Sequence, residues 1–155
     1  VLLNKLNIDR KKVLCYGSSA GGFMSLMLSG LLKSTALVNN PQTIVHNYQE
    51  RHVNEMFAAV HPNKTRQEII NQFTERLVVA EFYKKICYVP TIHYLQNVSC
   101  VRDVAYHLIP FVFELEKMDY PINVMLYLYS NVKEGHNPLN KEKSLKYING
   151  LLNGL

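Results

Sequence analysis

A serine hydroxyl becomes a nucleophile when a histidine takes its proton and a carboxylate orients that histidine. The chain holds a candidate for each role. Gly17-Ser18-Ser19-Ala20-Gly21 carries Gly-x-Ser-x-Gly, a pattern that sets a serine at the apex of a sharp strand-to-helix turn with its hydroxyl clear of the sheet. Glycines at 17 and 21 would let the strand and helix pass close beside that apex. The Ala20 N–H, at the start of the helix, would face the oxyanion formed when Ser19 attacks an acyl group. Three fixed positions arise by chance in about one chain in twenty of this length, so context has to carry the reading. Val13 to Tyr16 is an apolar run of strand length, and Phe23, Met24, Met27, Leu28, Leu31 and Leu32 recur at helical spacing. A phosphate-binding turn is the competing explanation. It would want a lysine-serine pair or Gly-x-Gly-x-x-Gly, and neither is present.

Six histidines are available as the base: His46, His52, His61, His93, His107 and His136. His136 lies in the polar Gly135-His136-Asn137-Pro138 loop after the last apolar strand, and in a parallel sheet such loops share one edge with the elbow. His93 and His107 fall inside a strand and a helix, where structural roles are expected; His46 and His52 lie in a helical excursion within reach of a substrate. The aspartates are Asp9, Asp103 and Asp119. Asp9 and Asp119 precede strands, at the wrong edge. Asp103 follows a strand and yields the chain order Ser19, Asp103, His136. Ser18 and Asn40, beside the elbow and at the end of the next strand, are candidate substrate contacts. No histidine pair has metal-ligand spacing, and no cofactor is implied.

The elements that must position these groups alternate. Leu2 to Ile8 reads as a helix end and Asp9 to Lys12 as a polar link. The elbow strand and its helix then run to about Lys33. Thr35 to Pro41 is a second strand, stopped by its proline. Residues 44–85 turn helical, with Val53, Met56, Phe57 and Val60 as one stripe. Thr65-Arg66-Gln67-Glu68 is a capping box, and Ile69, Ile70, Phe73, Leu77 and Val78 form the next buried face. Thr91 to Asn97 is a third strand, followed by a loop over Val98 to Asp103 and a helix from Val104 to Lys117. Ile122 to Tyr129 is a fourth strand, and Lys141 to Leu152 a closing amphipathic helix. Strand–helix alternation predicts an α/β fold with a mainly parallel sheet in a three-layer sandwich. Residues 44–85 would be an insertion, either a lid or a peripheral pair.

At 155 residues, 48% hydrophobic and 19% charged, the composition is that of one globular domain. The net charge of +5 favours anionic partners, but the lysines are dispersed and accompany no nucleic-acid motif, so nucleic acid is not an expected partner. No apolar run approaches the roughly 18 residues of a membrane span. Three cysteines without metal or CxxC spacing predict a reducing, cytoplasmic setting. Val1 in place of methionine suggests a piece of a longer protein.

Elbow, helix, strand, helical insertion, acid-bearing strand end, histidine loop and last helix together resemble the carboxyl-terminal part of an α/β-hydrolase. More narrowly, Gly17 to Phe23, Ala36 to Thr43 and Tyr94 to Asn97 are similar to bacterial surface-polysaccharide proteins, among them capsule-biosynthesis proteins and the acetyltransferase-like component of the accessory Sec system. The resemblance implies serine-dependent acyl transfer to or from a sugar hydroxyl, a glycan ester as substrate and polysaccharide-biosynthesis proteins as partners. A non-catalytic, hydrolase-like binding component of a polysaccharide-assembly complex is the alternative, and a glycosyltransferase role ranks last for want of a sugar-nucleotide site. Two departures stand out. The family's acid position corresponds here to Cys100, which leaves Asp103, a glutamate or a Ser19–His136 dyad. The family's other oxyanion donor follows an early strand absent from this sequence.

Overall fold

The computed structural model describes residues 2–154. Four strands form an all-parallel sheet in the order β1-β2-β3-β4: β1 (Leu14–Ser18), β2 (Thr35–Pro41), β3 (Ile92–Asn97) and β4 (Val124–Tyr129). The helices are α1 (Leu2–Lys5), α2 (Ser19–Leu32), α3 (Glu50–Val60), α4 (Arg66–Gln72), α5 (Thr74–Leu77), α6 (Val79–Ile86), α7 (Val101–Asp103), α8 (Ile109–Glu116) and α9 (Lys141–Leu152). The architecture is α/β, a parallel sheet flanked by helices.

Burial follows from position in the sheet. Every residue of β2 is buried, whereas β4, at an edge, is only half-covered. An inner strand of a parallel sheet needs apolar side chains on both faces, and Thr35-Ala36-Leu37-Val38 supplies them. One face bears Ala36, Val38, Ile92 and Tyr94, packed under Phe23 and Leu26 of α2, Tyr83 of α6 and Phe111 and Leu115 of α8. The opposite face is covered by α9, where Tyr147 meets Tyr127 of β4 edge-on at 5.6 Å between ring centroids.

Two expectations change at the insertion and at the acid. Residues 44–85 are not one excursion. Val79, Ala80, Phe82 and Tyr83 of α6 belong to the main core, and the Tyr83 hydroxyl donates to the Leu26 carbonyl at 3.0 Å. A smaller cluster of Val53, Phe57, Ile69 and Leu77 makes a separate core for α3 to α5. The excursion therefore ends near Val78, and α6 is the layer helix that returns the chain to β3. The Thr65/Glu68 capping box is present and opens α4. Second, Asp103 is not in a loop. It ends the single turn α7, which runs straight on through a π-helical stretch, Val104–Leu108, into α8.

Candidate functional site

The elbow is built by close packing. Ser19 sits at φ 52°, the left-handed region that a non-glycine residue rarely occupies. A Cβ on Gly17 would collide with the Gly21 carbonyl and lie 2.7 Å from Ser25 Oγ, so only glycine fits there. Gly21 is different from expectation: nothing lies within 4 Å of a Cβ built on it. The second tight position is Gly22, where a Cβ would stand 2.7 Å from that of Pro41. The helix thus approaches β2 one residue later than the motif alone implies.

The sheet's carboxyl edge brings three side chains together from positions far apart in the chain. His136 Nε2 lies 2.8 Å from Ser19 Oγ, and His136 Nδ1 lies 2.6 Å from Asp103 Oδ2. Gln42, just past β2 and buried, donates from Nε2 to Ser19 Oγ at 3.0 Å. An amide nitrogen can only donate, so Ser19 Oγ accepts there and keeps its single proton for His136. The ionised Asp103 carboxylate can only accept, so Nδ1–H of the neutral imidazole donates to it and Nε2 is left to accept from Ser19, the tautomer a general base needs.

The charges agree with this polarity. Burial alone would raise the Asp103 pKa, but hydrogen bonds from His136 and the Cys100 thiol, with the charge of His136, hold the carboxyl below its ordinary value. The hydrogen bond to Asp103 raises the His136 pKa above that of a free histidine, against a smaller opposing effect of burial. His107, buried beside this pair, is pushed by desolvation to about 4 and is neutral at physiological pH. It does not compete with His136 as a cation for Asp103. Cys100 lies beside Asp103, and burial raises its thiol pKa. Cys100, Asp103 and His136 hold ligand atoms within 4.8 Å of one another, the single such group found among the described residues.

Asn40, expected at the substrate, is instead fully buried. Its amide donates to the His136 and Asn137 carbonyls at 3.1 and 3.0 Å, and its oxygen accepts from the Asn97 N–H at 2.8 Å. Asn97 donates to the Asn131 and Gly135 carbonyls and accepts from Asn131 N–H, while Asn39 accepts from Leu139 N–H at 2.6 Å. Three buried asparagines at the ends of β2 and β3 thus clamp the histidine loop from both sides. Sequence reasoning missed this clamp and Gln42. Asn39, Asn40 and Asn97 are polar residues at the ends of two buried strands, and their partners lie too far along the chain for that pattern to assign them a role.

Ser18 ends β1, half-buried, with no hydrogen bond from its side chain to cap α2. Ala20 follows Ser19 in the first turn of α2 and lines the cleft in front of Ser19. His93 bonds the Tyr127 hydroxyl at 2.9 Å, a structural pairing. His52 lines the cleft, whereas His46 is half-buried with its carbonyl held by Arg66. The cleft has a volume of about 440 Å³ and runs from Ser19 and Ala20 to α3. A larger one of about 630 Å³, between the end of β4 and α9, touches none of Ser19, Asp103 or His136. No helix among the described residues is long and apolar enough to cross a membrane. No protein-family model matches the chain, and no curated protein matches it.

Proposed function

We propose that the chain is a serine esterase or O-acyltransferase of the α/β-hydrolase type, acting in the cytoplasm on an acyl ester of a sugar or polysaccharide precursor. The observation that carries the catalytic part is the continuous hydrogen-bonded series Asp103–His136–Ser19, at 2.6 and 2.8 Å, with Ser19 in a left-handed turn. The glycan part rests on the similarity of the elbow, β2 and β3 segments to surface-polysaccharide proteins.

In this reading Ser19 Oγ attacks the ester carbonyl as His136 Nε2 takes its proton. Asp103 holds the imidazole in place and stabilises the imidazolium. The carbonyl oxygen becomes an oxyanion facing the Ala20 N–H, and the Gln42 amide, already directed at Oγ, supplies a second donor. His136 returns the proton to the leaving oxygen as the ester C–O bond breaks, leaving acyl-Ser19 and a free alcohol. Water or a sugar hydroxyl then gives its proton to His136 and attacks the acyl carbon, and His136 passes that proton to Ser19 Oγ as the bond between the acyl carbon and Oγ breaks. A non-catalytic binding component is the alternative, and it calls for a histidine turned from the serine or a filled cleft; a 2.8 Å contact beside an open cleft speaks against it.

A rapid-mixing experiment with p-nitrophenyl acetate tests this. A burst of p-nitrophenol equal to the enzyme concentration, absent in Ser19→Ala, is expected. A sugar acceptor added at rising concentration should divert acyl product from the free acid to a sugar ester if transfer is the activity.

A further inference from the structure

We infer that the cleft between α2 and the α3–α5 excursion is an acyl-chain pocket, and that the preferred acyl group is a straight aliphatic chain of about six to ten carbons. The inference rests on the serine reading and goes past it by naming the acyl class. Two observations and one chemical requirement lead to it. The cleft opens directly onto Ser19 and Ala20, so a group in it is continuous with a carbonyl under attack. His136 is not in its wall. The leaving alcohol must end beside His136 Nε2 to receive its proton, so the side of the carbonyl facing away from His136 is the acyl side.

The wall itself is carbon for most of its extent, from Phe23, Met24, Val45, Val53, Met56 and Leu77. Water's share of liquid volume is about 30 Å³, so 440 Å³ holds roughly fifteen water-sized groups, far more than an acetyl group fills. The two methionines are unbranched and adaptable, which suits a flexible chain better than a rigid ring. Arg76, at the wall, lies over the Phe73 ring at 5.5 Å and has no carboxylate within ion-pair distance among the described residues. Its guanidinium is engaged with the face of the Phe73 ring rather than with an acid across the pocket.

The test is kcat/KM for p-nitrophenyl acetate, butyrate, octanoate and palmitate on the protein and on Met56→Trp, with labelling by ethyl and octyl fluorophosphonates run in parallel. One added methylene in an apolar pocket changes kcat/KM by about 10- to 200-fold when fully enclosed. Octanoate is expected to exceed acetate by at least tenfold, and palmitate to fall below octanoate. Met56→Trp should cut octanoate at least tenfold more than acetate, with octyl labelling slowed in the same ratio. Labelling of Ser19 by both probes at equal rates, with acetate the best ester, overturns the acyl assignment and leaves the serine reading standing. No labelling by either probe, with no ester hydrolysed, overturns both.

Discussion

Two walls face Ser19, and different forces hold them. The sheet edge is polar and closed: Asn39, Asn40 and Asn97 are fully buried, and each is engaged with the backbone of the 131–139 loop or of β3. The cleft wall made by α2 and the α3–α5 excursion is apolar and open: the small Val53–Phe57–Ile69–Leu77 core holds its α3–α5 side, and Met24 of α2 and Met56 of α3 are 62% and 38% exposed. Directional hydrogen bonds fix the reacting atoms to fractions of an ångström; apolar contact fills space and tolerates exchange. On the proposed reading the first wall would carry the chemistry and the second the choice of substrate, so that the second could change without disturbing the first.

Substitutions in the first wall should have the larger effects. Ser19→Ala should lower kcat by about 10⁴- to 10⁶-fold in a steady-state ester assay, with KM little altered. Asp103→Asn should cost about 10⁴-fold by losing the productive tautomer, and it should also move the pH profile. Because Asp103 raises the His136 pKa, the acid limb of kcat/KM should lie above the ordinary histidine value and shift downward in the variant. The sign for stability differs between the partners. The stabilisation from the raised His136 is complete below the unfolded histidine pKa and is lost as pH rises through the folded one. That from the depressed Asp103 is present above the unfolded aspartate pKa and is lost as pH falls through the folded one. Thermal melts across pH 3 to 9 should show the advantage of wild type over Asp103→Asn narrowing at both ends.

Gln42→Ala should cost about 10²–10³-fold in kcat by removing an oxyanion donor, and Gln42→Glu should not rescue it, since a carboxylate would repel the oxyanion. Asn40→Ala should destabilise by about 1–3 kcal/mol, as buried carbonyls lose their partners, and should lower kcat together with the melting temperature. Least of all, Thr65→Ala removes the α4 cap and should cost about 1 kcal/mol, read as faster hydrogen exchange confined to the α3–α5 excursion with kcat for acetate unchanged. A comparable kcat loss for Thr65→Ala and Asn40→Ala would erase the distinction between the walls.

What could be read from sequence follows the range of the interactions. The elbow is local, so Gly17, Ser19 and the α2 stripe announce themselves within fifteen residues. His136 follows from its place after the last strand, and Asp103 from being the one aspartate at the right edge. The helix that carries it starts at Val101, ahead of the expected Val104, and nothing in the sequence marks that start: Cys100 makes no side-chain cap. Gly22 could not be told from Gly21, since the difference is the approach of Pro41, nineteen positions on. The boundary between excursion and layer helix was hidden because α4 and α6 are both amphipathic; only tertiary packing tells which core each face meets. Gln42 and the asparagine clamp depend on partners 23 to 100 residues away. In sequence they are merely polar residues in a buried run.

On the proposed reading Ser19 is a nucleophile activated by His136. Incubating the protein with an alkyl fluorophosphonate and mapping the adduct by peptide mass spectrometry tests it most directly. One phosphonyl group on Ser19, lost in Ser19→Ala and formed at least a hundredfold more slowly in His136→Ala, is the predicted result. An unmodified Ser19, or labelling at an undiminished rate without His136, would contradict it.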